Sequence, residues 1–344
     1  MPRLLTDLVY KQLRSTSTKL VRSSAEVRSL RPSEILEILQ MRSPKEMKRK
    51  LIVDTSMCQK LSKLFCDQSK MSLSNRKSNI YLIHLQPATT SLTHSMISRI
   101  TDLEDSQRTM CGCLLIESDR RYASCLQVLA NKFVSKFPVY ICQQDPVSVN
   151  LSNLCNVFPD LQSDNSVLMV LSTMQFGSAL KFLINNFRAM NSGTGIYCSS
   201  MKTELICLMQ MDFVVRLLAP ICDKSRTRLA TISQALTDVK RIASSNINGS
   251  SFFPSSKTDG CFVKFEMKTS FKPILDFDGF LRLVNFTFTY KNKSLKKVLQ
   301  LLLNDSYDVC RVLDNCQVDG NMTACEISSS MFINLSQYIS SIKN

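Results

Sequence analysis

The chain has 344 residues, and its 43 Lys and Arg against 28 Asp and Glu give a formal net charge of +15. That length holds two modest domains with a real core, and 44% hydrophobic with 21% charged residues is the balance of a globular protein. The longest apolar stretches, Ser166–Thr173 and Met211–Pro220, fall far short of the roughly 20 residues of a spanning helix, which argues against a membrane partner.

Residues 1–80 carry 17 Lys and Arg against 7 Asp and Glu, whereas residues 81–200 carry 8 of each. So uneven a charge is expected of a protein with a polyanionic partner. Asp7 interrupts any apolar secretory core. Arg3, Lys11, Arg14, Lys19 and Arg22 among Ser and Thr leave a mitochondrial presequence as an alternative, opposed by Glu26, Glu34 and Glu37. The 14 cysteines are scattered, many inside apolar runs, with no Cys-x-x-Cys. That is the usage of buried, reduced thiols in a reducing compartment.

Residues 1–78 read as a basic helical region. Leu4, Leu5, Leu8, Val9 and Leu13 recur at helical spacing, Ser33 caps a second helix, and Ser43-Pro-Lys-Glu46 is a capping box that should start a third. Met57, Leu61, Leu64 and Phe65 add an apolar stripe.

Residues 79–244 read as an α/β core, a parallel or mostly parallel sheet with flanking helices. Strands are expected at Asn79–Leu85, Cys111–Glu117, Phe137–Cys142, Ser166–Ser172 and Gly195–Cys198. Helices are expected at 93–104, 119–136, 176–190, 202–218 and 225–244. Residues 245–260 read as a linker or long loop. Residues 261–344 read as a small α+β domain of ββα-ββα pattern. Its strands are expected at Cys261–Lys268 and Phe280–Tyr290, then at Val309–Val318 and Asn321–Ile327 about the hairpin signal Asp319-Gly320, with helices at Ser294–Leu303 and 329–342.

Among 8 glycines none forms a dinucleotide or phosphate loop. Such loops need unhindered backbone N–H groups at a helix start, so a nucleotide-hydrolysing motor or a Rossmann dehydrogenase is excluded and no cofactor is expected. The 2 histidines, His84 in an apolar strand and His94 at a helix start, do not have metal-ligand spacing with Cys111-Gly-Cys113.

Carboxylates stand where catalytic acids of parallel sheets stand, directly after apolar runs: Asp54 after Leu-Ile-Val, then Glu117 and Asp119 after Cys-Leu-Leu-Ile. Asp54-Thr55-Ser56 resembles the opening strand end of PIN-type nucleases, and Asp119-Arg-Arg-Tyr-Ala is similar to their later acidic motif. The resemblance implies a metal-dependent nuclease using Asp54, Glu117 and Asp119, although the family's full set of four acids cannot be traced. The plainer reading makes Asp54 and Asp119 helix caps.

The sequence therefore points to a non-enzymatic, nucleic-acid-associated accessory or scaffold protein of the nucleus, acting in chromosome biology (repair, recombination or segregation). Lys45, Lys48, Arg49, Lys50, Lys60, Lys63, Arg76 and Lys77 would contact nucleic acid, DNA rather than RNA. Other proteins of a multi-subunit complex would be partners, with no small-molecule cofactor and no metal. The alternatives are the nuclease and a mitochondrial nucleic-acid-binding protein; cytoplasm is the other possible location.

Overall fold

The computed structural model describes residues 31–47, 49–70, 78–102, 108–147, 154–163, 165–174, 176–194, 197, 202–268, 272–303 and 307–343. Two compact units alternate along the chain. The first runs to Asn185 and adds Gly193–Gln210 and Arg241–Lys264; the second comprises Asn186–Ser192, Met211–Lys240 and Phe265–Asn344.

The strands in chain order are β1 (Leu51–Ile52), β2 (Ser78–Leu85), β3 (Arg108–Ile116), β4 (Val139–Cys142), β5 (Ser166–Ser172), β6 (Lys202–Gln210), β7 (Thr237–Arg241), β8 (Phe252–Phe253) and β9 (Gly260–Met267). In the first unit the sheet order is β4-β3-β2-β5-β6-β9, with β2 parallel to β3 and β5, β3 to β4, and β5 to β6. This is the α/β core with a mostly parallel sheet and flanking helices. All of β5 is buried, as expected where helices cover both faces.

The helices of this unit are α1 (Pro32–Ile38), α2 (Thr55–Lys70), α3 (Ser91–Asp102), α4 (Ala123–Phe133), the single turn α5 (Leu154–Val157) and most of α6 (Phe176–Ser192). Leu61 and Phe65 of α2 and Met96 and Ile97 of α3 share a core with Leu82, Leu115, Met169 and Phe262. The Phe65 and Phe262 rings meet edge to face at 4.8 Å. At the irregularity between β2 and β3, Gly112 is required by close approach, because a Cβ there would lie 2.3 Å from Cε1 of Phe158.

The segment before α2 departs from the expected run of helices. The capping box at Ser43 yields only one 3₁₀ turn, Pro44–Glu46. The chain then extends into β1, which pairs antiparallel with β8. Ile35, Leu39, Met47 and Leu51 cluster with Ala88 and Tyr122, so this segment is packed onto the end of the sheet. The expected helix within residues 1–30 lies outside the described residues, as does most of the expected strand Gly195–Cys198.

In place of a helix over 202–218 the chain makes β6 and then α7 (Met211–Leu217), and α8 (Arg228–Leu236) gives way to β7 within the expected 225–244 helix. The second unit continues with α9 (Phe277–Thr289), α10 (Leu295–Leu303), α11 (Val309–Cys316) and α12 (Ser329–Lys343). The ββα-ββα reading is therefore corrected: Phe280–Tyr290 is helical, and Val309–Val318 begins as a helix rather than a hairpin strand. Phe280, Leu283, Val284 and Thr287 are buried at helical spacing, and the Asp276 carboxylate caps α9 by accepting from Gly279 N–H. Asp319-Gly320 sits in a turn whose Gly320 carbonyl, with that of Met322, accepts from the first N–H groups of α10.

Candidate functional site

After β2 the chain proceeds to β3 and β4 on one side and returns to β5 on the other. The carboxyl ends of β2 and β5 thus flank a topological switch point, where open α/β sheets bind ligands. The β2–α3 connection is Gln86-Pro87-Ala88-Thr89-Thr90. Gln86, Ala88 and Thr90 have φ of 58°, 52° and 64°, the left-handed conformation that costs a non-glycine residue about 1–2 kcal/mol. Alternate residues thus hold the backbone of a glycine-rich loop while carrying side chains.

Three of that loop's four N–H groups are hydrogen-bonded within the site. Gln86 N–H donates to Ile116 O at 2.7 Å and Thr90 N–H to Pro87 O at 3.1 Å, while Ala88 N–H donates to Glu117 Oε2 at 3.0 Å. Glu117, one residue past β3, is fully buried. Its carboxylate also accepts from Asp119 N–H at 3.1 Å and, on both oxygens, from Arg49 Nη1 at 3.0 and 2.9 Å. Arg49 Nη2 donates to Gln86 O, and the guanidinium carbon lies 5.8 Å from the centroid of the Tyr122 ring. One side chain from the N-terminal segment thereby joins the ends of β2 and β3.

Beneath the loop, His84 places Nδ1 2.6 Å from Thr93 Oγ1 and Nε2 3.1 Å from Thr173 Oγ1. Burial first, then the Arg49 charge, pushes the imidazole down to about 3, so it is neutral. The Thr173 hydroxyl, just past β5, donates to Gln86 O at 2.8 Å and closes the crevice between β2 and β5.

Two cavities border Arg49. Over the loop, about 20 Å³ remains between Arg49, His84, Gln86, Ala88 and Thr173. On the other side, about 390 Å³ is lined by Leu39, Met41, Asp119, Arg121 and Tyr122. Arg49 and Gln86 form part of the wall of both. Arg49 Nε and Gln86 Oε1 are buried without a hydrogen-bond partner.

The other residues singled out in the sequence lie elsewhere. Lys45, Lys60 and Lys63 are exposed, and Lys50 Nζ donates to Ser255 O at 2.9 Å. Lys48, Arg76 and Lys77 lie outside the described residues. Asp54 caps α2, accepting from the Ser56 hydroxyl at 2.6 Å and Met57 N–H at 2.8 Å. The Ser56 bond holds its carboxyl below the usual range. Asp119 pairs with Arg121 at 2.6 Å, and that contact lowers its pKa too. Among the described residues no group of three His, Cys, Asp or Glu could hold a metal ion. Glycine counting misses the loop because its left-handed residues are Gln, Ala and Thr; the one legible signal is Glu117, an acid directly after a strand.

The family described as Ribosomal RNA adenine dimethylase matches residues 109–341. Similar curated proteins include the mitochondrial dimethyladenosine transferase 1 of Pongo abelii, 20% identical over 305 residues, covering 88% of this chain and 83% of the relative. The human counterpart is 19% identical over 305 residues, with 88% and 82% covered. The ribosomal RNA small subunit methyltransferase A of a Nostoc strain is 21% identical over 261 residues, with 76% and 88% covered.

Among solved structures, a dimethyladenosine transferase from Plasmodium falciparum superposes with TM-score 0.58 at 16% identity, covering 80% of this chain and 93% of that one. The 23S rRNA methyltransferase ErmE gives 0.52 at 12%, with 84% and 99% covered. The fold is thus the Rossmann-like α/β fold of methyltransferases.

These matches overturn the reading of a non-enzymatic chromosome protein acting on DNA in the nucleus. They point instead to RNA and to a methyltransferase family, whose reaction takes a methyl group from a small-molecule donor; the expectation of no small-molecule partner fails with that reading. Repair, recombination and segregation find no support, and neither does a nuclear setting.

An adenosyl donor can be tested against the residues present. Such a ligand needs loop amides free to face it and an acid free to hold sugar hydroxyls. Here the amides of Gln86, Ala88 and Thr90 are engaged, Glu117 is saturated and the space over the loop is about 20 Å³. In this arrangement the donor does not fit.

Proposed function

The chain belongs to the ribosomal RNA adenine dimethylase family, and we propose that it is an RNA-binding protein of the mitochondrion that engages structured RNA of the ribosomal kind. The observation that carries this reading is the family match, which spans most of β3 through α12. Similarity to mitochondrial dimethyladenosine transferases over 88% of the chain supports the compartment.

The charge supports the substrate class. A net +15 supplies the sequence-independent attraction to phosphates that dominates nucleic-acid affinity. Exposed Lys45, Lys60 and Lys63 are free to approach a backbone, whereas Arg49 is committed to Glu117. Phosphate contacts set position rather than sequence, so the RNA would be chosen by shape, as double-stranded RNA generally is.

Binding to a ribosomal RNA stem-loop and to a DNA duplex of equal length, measured across salt, tests the proposal. The RNA should bind more tightly. Replacing Lys45, Lys60 and Lys63 together by Gln should lower the log–log salt slope by roughly 2–3 if each neutralises one phosphate. Equal or tighter binding of the DNA, or an unchanged slope, contradicts the reading.

A further inference from the structure

We propose that Arg49 is a built-in occupant of the methyl-donor site: the N-terminal segment closes the crevice, and a donor can reach Glu117 only when Arg49 leaves it. The inference rests on the family reading for the identity of the ligand, and on this chain's own geometry for everything else.

Three observations converge. The guanidinium satisfies both oxygens of a fully buried carboxylate at 3.0 and 2.9 Å. A charge-assisted contact to a carboxylate is a stronger partner than a neutral pair of sugar hydroxyls. Its other nitrogen, Nη2, donates to Gln86 O, so the same side chain spans from the acid to the loop, across the place where a ligand lying on the loop would run.

The segment is also held in place from several sides. Ala88, a position at which a glycine loop would have no side chain, is 2% exposed and packs with Ile35, Leu39, Met47 and Leu51. Arg121 Nη1 donates to Leu39 O at 3.0 Å, Lys50 Nζ reaches Ser255 O at 2.9 Å, and β1 pairs with β8. The methyl group that a glycine loop lacks is thus the one against which the closing segment packs. The Ala88 side chain and the closing segment form a single packed arrangement.

The space for a ligand exists but is divided. The cavity of about 390 Å³ beyond Arg49 falls within the range of small-molecule sites. It is separated from the small space over the loop by a wall that Arg49 and Gln86 help to form. Withdrawing or truncating the Arg49 side chain would remove a shared part of the wall between the two spaces and take away the cation paired with Glu117. An internal competitor lowers apparent affinity by the fraction of time the site is open.

Equilibrium binding of S-adenosylhomocysteine and S-adenosylmethionine to the full-length chain provides the test, with wild type beside Arg49→Ala and Arg49→Gln. Wild type should bind weakly, and both variants about tenfold or more tightly. Glu117→Gln placed on either variant should abolish the gain. Far-ultraviolet circular dichroism and thermal melting establish that each variant is folded; Arg49→Gln keeps polar contact with the site should Arg49→Ala not fold. Tight saturable binding by wild type alone overturns the proposal. So does equal affinity in wild type and a folded Arg49 variant, or no binding by either. None of these results bears on the RNA-binding test, which uses neither donor nor Arg49 variants, so the two readings fail separately.

Discussion

Asp54 and Glu117 occupy equivalent places in the sequence, each an acid directly after an apolar strand, yet the regions around them differ in kind. Asp54 follows the two-residue β1 and is exposed, and its carboxylate serves the first turn of α2. Glu117 follows the nine-residue β3, an inner strand flanked by β4 and β2, and is fully buried, with a guanidinium supplied from 68 residues earlier. Strand length and sheet position decide the environment, and the environment decides whether an acid is a local cap or the centre of a crevice. Removing groups from each region therefore gives effects of different size.

The largest effect belongs to the Arg49–Glu117 pair. Glu117→Ala leaves a guanidinium and the Ala88 and Asp119 amides without their acceptor, and Arg49→Met leaves a buried carboxylate without its cation. Breaking a buried pair in this way costs about 3–5 kcal/mol. Replacing both partners with apolar residues, Arg49→Met with Glu117→Leu, should recover much of that loss. Urea denaturation of the two single variants and the double variant measures the coupling. A double variant as unstable as the sum of the singles would place the two regions on the same footing.

His84 extends the contrast to pH. Its folded-state value of about 3 lies below the ordinary value near 6.5, so the unfolded chain binds the extra proton first. Its contribution is fully present above about pH 6.5 and is lost as pH falls toward about 3, at up to roughly 1.4 kcal/mol per pH unit. His84→Asn should flatten that part of the stability–pH profile. An unchanged slope between about pH 4 and 6 would show that acid sensitivity arises elsewhere.

The sheet is the most legible part of the molecule. Ser166–Ser172 has the bounds its sequence predicts, and Asn79–Leu85 agrees within one residue. Strands buried on both faces read as short apolar runs, and these two are short enough and bounded closely enough by polar residues to be read as strands. Lys202–Gln210 reads as helix in the sequence because Glu204, Leu205, Leu208 and Met209 favour helices, and a continuous apolar run has no period to separate the two.

Phe280–Tyr290 carries two patterns at once, alternating aromatics and an apolar stripe at 280, 283, 284 and 287. The stripe prevails because the Asp276 cap and the packing of α9 act together. In the site, Glu117 is legible as an acid after a strand. Arg49 reads with the exposed lysines because nothing in its neighbours says that one basic residue turns inward.

At Asp54 the expected loss is that of a helix cap. Asp54→Ala removes the acceptor for Met57 N–H and should cost about 1 kcal/mol, read as a small fall in the urea midpoint at unchanged slope. A loss as large as that of Glu117→Ala would mean that Asp54 belongs to the buried network after all.

The smallest effect on stability is expected at Lys60 and Lys63. Both are exposed on α2, opposite in role to Leu61 and Phe65, which the same helix buries. Exchanging surface charges away from caps and buried networks stays within about 0.5 kcal/mol, so Lys60→Gln with Lys63→Gln should melt like wild type. The same pair should weaken RNA binding and lower its salt slope by roughly 0.7–0.9 for each phosphate no longer neutralised. Stability and RNA affinity thus separate on one helix: its inner face answers to denaturant and its outer face to salt. A folded double variant that binds RNA as wild type does at every salt concentration would remove α2 from the RNA-binding surface and leave Lys45 to carry the interaction among the three lysines.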